Sequence, residues 1–499
     1  AKPLAVLNMQ ILPDKNTYIH LLKSSRRVPV CGQKIIPGLN LSELFQRLFA
    51  NKKNTFLFES GNGPKETAHY SLMGEISSRI LEITGQQAKL FCQNELVSSW
   101  DNPQQALSLL NFDENIQPVA YLPHFWGGWV GFMGYEAGVW FENLPIREPS
   151  EEELPDLFFM EVERFYLYDH LTEEFKLILS QKSEGNPLTY ENICADIQTT
   201  WNELIPLIKD ISEKPSSTFA PVRSLSAGEL QSNMSLNDYS ELVMKAKQYI
   251  HDGDIYQANL AQKFTTHFPG ESFQLYKKLI RLNPSPFSGY LNYKNFSLIS
   301  SSPERLAKVD GHQVETRPIA GTRPRGKEDA EDIELSTQLL LNPKERAEHL
   351  MLVDLERNDL GRICQDGTVS VTDFMFLEKY SHVSHIVSNI VGRLKPKTSV
   401  YDILKSVFPG GTITGCPKIR CMEIIAELEP IKRGPYSGSF GYIGFGSYLD
   451  LNIIIRSIIV CGEIASFHVG AGIVADSNPE KEYQETLDKA AAMIQALSQ

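Results

Sequence analysis

Apolar and polar positions along the chain alternate in two rhythms. In the first 180 residues the apolar runs are short and turn-bounded: TFLFES, AKLFCQ, FWGGWVGFMGY, PDLFFMEVERFYLYD and FKLILS, separated by Gly, Asn and Pro. These predict strands. Residues 190–207 change to a helical period, and 211–233, ISEKPSSTFAPVRSLSAGELQSN, has little apolar periodicity and reads as a linker. Three regions follow: 1–210, the linker 211–233 and 234–499. Beyond the linker come an amphipathic helix over 238–252, a Gly253-Asp254 stop, and strands in IYQANLAQKFTTHF, FSGYLNY, FSLISSSPERLAKV and HQVETRPIAGT. A helix over 342–362 is followed by TVSVTDFMFLEKYSHVSHIVSNIVG, helices over 401–408 and 417–428, three strands and a last helix. Strands arrive in groups between helices, which predicts an α+β fold with large, mainly antiparallel sheets and not a strict βαβ alternation.

Two of these helices carry acids where apolar residues would be expected. In NPKERAEHLMLVDLERNDLGR, Glu345 and Glu348 share one face a turn apart, while Leu350, Met351, Leu352 and Val353 point in the other directions and mark the helix as buried. Asn342 as N-cap and Pro343 at the first position make a capping role for Glu345 sufficient. Capping explains Glu348 less well, and a buried carboxylate needs a cation, a metal ion or a helix end. In the last helix, Glu482, Glu485 and Lys489 form one stripe at about 100° per residue, opposite Tyr483, Leu487, Ala490, Ile494 and Leu497. That acidic stripe is either solvated or aimed at a site.

Composition narrows the functional classes. A chain of 499 residues with a net charge of -13 and no basic block does not bind nucleic acid through a general basic surface, so an anionic ligand needs local cations. Seven scattered cysteines without CxxC spacing predict reduced thiols in a cytosol. The absence of any run of 18 apolar residues predicts a soluble, non-membrane, cytoplasmic protein.

Further reactive groups sit beside turns in the second half. Glu304 ends a strand in SSPER, and His382 and His385 lie in YSHVSHIVS, where a spacing of three sends them to opposite faces. FPGGTITGCPKIR reads either as a plain turn or as a Gly-rich anion cradle with the Thr412 hydroxyl. Arg456 in LDLNIIIRSIIV sits in a strand fit for burial and wants an anionic partner. Gly470-Ala471-Gly472 offers a bend that a ligand can approach. Four acids, an arginine, a lysine and two Gly-rich stretches, with no nucleophilic serine or cysteine elbow, suit a Mg2+-dependent site for a small polycarboxylate.

These stretches, with GDIYQANLAQ, NPSPF, RPIAGTRPRG and YQETLDKA, resemble the chorismate-utilising enzymes, particularly component I of anthranilate synthase and of 4-amino-4-deoxychorismate synthase. The resemblance covers nearly the whole chain. It implies two large, mainly antiparallel sheets packed face to face with helices outside. It implies that Glu348 and Glu485 hold magnesium with Glu345 and Glu482 beside them, and that Glu304 is the general acid for the leaving hydroxyl. Gln257 stands where water-using relatives carry a lysine base, which points to ammonia as nucleophile and away from isochorismate or salicylate synthases. His385, Thr412, Tyr436, Arg456, Gly470, Ala471, Gly472 and Lys489 match positions around chorismate. Ammonia is then expected from a separate glutamine amidotransferase subunit. Glu59 and Ser60 of LFES, with Asn283, Pro284, Ser285 and Phe287 of NPSPF, resemble the family's tryptophan pocket, with binding expected and regulation left open. Ala320 replaces the lysine nucleophile of the best-known aminodeoxychorismate synthases and favours anthranilate synthase; IYQANLAQ, NPSPFSGY, PGGTITGCPK and LDLNIIIRS favour the aminodeoxychorismate branch.

Overall fold

In a computed structural model, residues 9–49, 52–60, 69–75, 79–145, 154–185, 187–213, 229–326, 328–379 and 383–498 are described. Their strands form two sheets, of thirteen and twelve strands, and every strand pairing is antiparallel. Both sheets draw on both halves of the chain. Thr55–Glu59 pairs with Phe287–Tyr293 in the larger sheet, and Gly128–Met133 pairs with Ser439–Gly444 in the smaller.

Period-two alternation sets the layers. Along Arg164–Asp169, Phe165 and Leu167 turn into a cluster with Val130, Phe132 and Phe158 of the opposite sheet, while Tyr166 and Tyr168 turn outward to the helices. The outer face of the larger sheet is covered by helices Leu41–Phe49, Tyr190–Glu213, Ser272–Leu282 and Pro479–Leu497, through Phe45, Trp201, Tyr276 and Met493. Helices Pro343–Ile363 and Val400–Val407 cover the smaller sheet through Val353, Leu360, Ile403 and Val407. Among the described residues all seven cysteines are free, and no helix is long and apolar enough to cross a membrane.

Several elements differ from expectation. Asp329–Leu341 is a helix that the sequence pattern did not single out, because three acids in its first turn and a weak apolar stripe hide its period. Four strands, not three, precede the last helix: Ser439–Gly444, Tyr448–Ile453, Ser457–Cys461 and Ile464–Ile473. Arg456 stands between two of them, in the left-handed region at φ +50°, so LDLNIIIRSIIV is two strands joined at a corner. Gly470 to Gly472 form no bend; they pair within Ile464–Ile473 against the strand Gln257–His267. The 342–362 helix is not buried all round, since Leu350 is 48% exposed while Leu352 and Val353 are covered.

Candidate active site

A cavity of about 490 Å³ opens where the helices Pro343–Ile363 and Pro479–Leu497 meet the strands Gln257–His267 and Ile464–Ile473. Asn342 caps the first helix through its side chain, accepting from the amides of Lys344 and Glu345, and Pro343 occupies the first turn. The Glu345 side chain does not reach back to the cap. It turns toward Arg323 (3.3 Å), beside Gly321, where a Cβ would come within 2.9 Å of the Glu345 carboxylate. Glu348 faces inward and accepts a hydrogen bond from Gln257 Nε2 at 3.0 Å. Burial, with Glu345 as a like-charged neighbour, pushes its carboxyl above the usual range.

Asn478 caps the last helix. Its acidic stripe lines the cavity, with Glu482, Glu485, Lys489 and Met493 on the wall; Glu482 is buried, while Glu485 and Lys489 are about half exposed. Lys489 Nζ pairs with Glu485 at 2.8 Å and donates to the Gly470 carbonyl at 3.0 Å. Glu482 is buried, and its carboxyl is raised by burial and by Glu485.

Opposite the acids, Glu304 follows the strand Phe296–Ser302 and is 5% exposed. Burial pushes its carboxyl up to about 7, against the lowering effect of the Thr412 hydroxyl, the Ile319 amide and Arg456. The Gly-rich stretch behind Thr412 is a short 3-10 turn, Gly411–Ile413, that then pairs Gly415 and Cys416 with Ala258 and Gln257 before the helix starts at Lys418. It is therefore no helix-end anion cradle; it delivers Thr412 to Glu304. His385, on the strand Val383–Arg393, bonds through Nδ1 to the Gly321 carbonyl (3.2 Å), and burial with Arg456 nearby pushes its imidazole down to about 4. It is neutral at neutral pH. His382 lies outside the described residues. Arg456 Nη1 donates to Asn283 Oδ1 at 3.3 Å. Tyr436 stacks on His468 at 5.3 Å between ring centroids, and burial pushes its phenol up to about 12.

The cavity wall also includes Ala320, Gly470 and Gly472. Of the expected set only Ala471 turns away, into the core with Leu260 and Ile425, because neighbours on a strand face opposite sides. A Cβ at Gly470 would stand 2.4 Å from Asn259 Oδ1, and one at Gly472 would stand 2.4 Å from Gln257 Nε2. Asn259, which the sequence reading missed, follows Gln257 by two and so faces the same cavity; that spacing was the available signal. Arg433, fully buried on Glu429, ties this floor together by donating to the carbonyls of Asn259 and Ile413.

Glu59 and Ser60 lie beside the 283–287 turn, since Ser288 and Glu59 are register partners. The buried Glu59 carboxylate accepts from Ser42 and Tyr276, both at 2.7 Å. Ser285 donates to the Ser302 carbonyl, Pro284 lies between it and Asn283, and Arg305 stands over the Phe287 ring at 5.0 Å.

Two antiparallel sheets with an acid-lined cavity at their edge, holding a buried carboxylic acid and an arginine, define a class of enzyme for small anionic substrates. Residues 53–495 match the family model described as chorismate binding enzyme, and the chain belongs to that family. It is 38% identical to anthranilate synthase component 1 of Synechocystis, over 98% of this chain and 99% of that one. It is 39% identical to aminodeoxychorismate synthase component 1 of Bacillus subtilis, over 91% and 93%. The solved anthranilate synthase component I of Streptococcus pneumoniae superposes with a TM-score of 0.74 at 32% identity, over 86% and 92%. The protein is thus a chorismate-utilising enzyme of the anthranilate and aminodeoxychorismate synthase component I kind.

Proposed function

We propose that the chain is component I of 4-amino-4-deoxychorismate synthase, which aminates chorismate with ammonia from a glutamine amidotransferase subunit. The observation that carries the product is the set of stretches around the cavity, IYQANLAQ, NPSPFSGY, PGGTITGCPK and LDLNIIIRS, which resemble that branch. Gln257 supports ammonia as nucleophile: its amide is bonded to Glu348 and offers no base to activate water. Anthranilate synthase component I is the second reading, favoured by Ala320 in PIAGT, where no lysine can attack the ring.

The acids fit magnesium. They are hard oxygen donors from two helices, and a cation would offset the burial and the like-charged neighbours, Glu345 and Glu485, that raise Glu348 and Glu482. Among the described residues they do not form a closed ligand cluster. Magnesium suits such an open arrangement, because it keeps waters and takes one or two carboxylates with the substrate's own oxygens. Glu348 and Glu485 would hold it, with Glu345 and Glu482 beside. When bound, the ion neutralises a carboxylate of the substrate. Arg456 and Lys489 pair the remaining anionic groups, Tyr436 and the neutral His385 orient the ring, and Gly470 and Gly472 let it approach the strand backbone. Glu304, steadied by Thr412, gives its proton to the departing hydroxyl. Glu59, Ser60 and the 283–287 turn would take a tryptophan, with Asn283 linking that turn to Arg456.

The deciding experiment incubates the protein with chorismate, magnesium and an ammonium salt, with and without aminodeoxychorismate lyase. 4-Aminobenzoate appearing only with the lyase is the expected result; fluorescent anthranilate without it establishes the second reading.

A further inference from the structure

The strand pair that floors the candidate active site runs on beyond it. In its register Gly472 faces Asn259, Gly470 faces Ala261 and His468 faces Lys263, and steps of two keep these partners on one side of the sheet. Gln257 and Gly472 line the first cavity, and further along the same face Lys263 and His468 line a second, also of about 490 Å³. Tyr436 and His468 line both, so this stacked pair of rings is a shared wall. The Tyr436 oxygen lies 2.8 Å from where a Cβ at Gly470 would stand, which puts the phenol on the side of the first cavity.

The body of the second cavity is apolar, built from Val139, Leu144, Met422, Ala426, Ile431 and Phe467. Its two carboxylates are committed to backbone amides: Glu136 accepts from Arg433 and Gly434 at 2.8 and 2.9 Å, and Asp156 accepts from Gly85 at 2.7 Å. The His468 end is positive. Lys263 and Lys432 line it, and burial, then the charges of Lys263 and Arg433, push the His468 imidazole down to about 3. Neutral His468 donates to the Lys432 carbonyl, and its Nε2 is buried without a partner among the described residues. A volume of this size, with apolar walls and a few polar groups gathered at one end, suits a small organic ligand.

We propose that the second cavity binds a planar aromatic carboxylate of one or two rings, its carboxylate toward Lys263 and Lys432 and its ring against the Tyr436 and His468 wall, and that binding there lowers chorismate turnover. Stacked rings present a flat wall, which an aromatic ring covers better than a puckered one. The path to the first cavity is short. Glu136 holds the amides of Arg433 and Gly434, where the turn to Tyr436 begins, so a ligand between Glu136 and the rings displaces the phenol that the substrate meets. The effect on turnover rests on the reading of the first cavity as the chorismate site; the binding does not.

2-Naphthoate, with 2-naphthamide as its neutral twin, tests this by calorimetry on the full chain. Chorismate and magnesium are present and ammonia is left out, so that the first cavity is filled without turnover. One 2-naphthoate per chain is expected, bound at least about tenfold more tightly than the amide. Ala426→Trp, which fills the cavity, abolishes binding, and Lys263→Met with Lys432→Met removes the preference for the acid. Melting temperatures show that each variant folds, and the lysine pair carries the test where Ala426→Trp does not. With ammonium salts, saturating 2-naphthoate lowers wild-type kcat by at least about twofold, and added chorismate does not restore it. No saturable binding below about 1 mM overturns the proposal, as do equal affinities for acid and amide, displacement by chorismate, or undiminished binding in folded Ala426→Trp. An unchanged kcat with binding intact overturns the action on turnover. Wild-type protein that consumes no chorismate overturns the reading of the first cavity instead, and the binding result stands by itself.

Discussion

Glu304, proposed above as the acid, is held in its protonated form at a cost to stability. Its carboxyl titrates near 7 in the fold and in the ordinary carboxylate range in the unfolded chain, because burial disfavours the charged form. Between those two values the folded protein binds more protons than the unfolded one. Stability is therefore lost as pH rises from about 4.5 through about 7, by on the order of 3 kcal/mol from this group alone. Glu304→Gln removes the titration while keeping the shape. Its melting temperature is expected to exceed the wild type's at pH 8 and to converge with it near pH 4, measured by calorimetry across that range. Turnover of chorismate falls by at least about a hundredfold, since the amide cannot protonate the leaving hydroxyl. Equal melting temperatures at pH 8 would mean that the carboxyl is not held in its acid form.

At the scale of elements, the site is built where backbones come close. Gly472 lies opposite Asn259 in the register of the two strands, and the missing Cβ leaves the room that Gln257 uses to reach Glu348. Gly472→Ala is expected to swing that amide away and lower kcat/KM by about ten- to a hundredfold, while the melting temperature changes little because the strand keeps its pairing. An unchanged kcat/KM would show that the Gln257 amide has no part in the reaction. The start of the helix Pro343–Ile363 was legible in the sequence because Asn342 and Pro343 cap by local rules, and the last helix was legible from its stripe at about 100° per residue. The direction of their acids was not. Whether Glu345 caps or meets Arg323, and whether Glu482 is solvated or walls a cavity, depends on chain segments far away in sequence. The 470–472 stretch misled for a related reason. Glycines suggest a bend when read alone, yet here they let a strand run close under side chains from its neighbour.

At the scale of the whole molecule, strand existence could be read from period-two runs, but the order of strands could not. Thr55–Glu59 finds its partner at Phe287–Tyr293, more than 200 residues on, and nothing local encodes that pairing. What made the fold legible was the order of long motifs shared with a family. The same sheets bear on where the nitrogen comes from. Cys31, Cys364 and Cys421 are buried, and burial pushes their thiols up to about 12, 11 and 12, with Cys194 and Cys416 raised as well. A glutamine-hydrolysing thiol must be a thiolate near neutral pH, and these are held in the opposite state. The chain alone is accordingly expected to aminate chorismate with ammonium salts and to give no product with glutamine. Adding an amidotransferase subunit that pairs with it brings glutamine-dependent turnover, followed as chorismate loss. Glutamine-dependent product from the isolated chain would place a hydrolytic centre within it and sink the two-subunit reading, because none of these five thiols stands in surroundings that would ionise it.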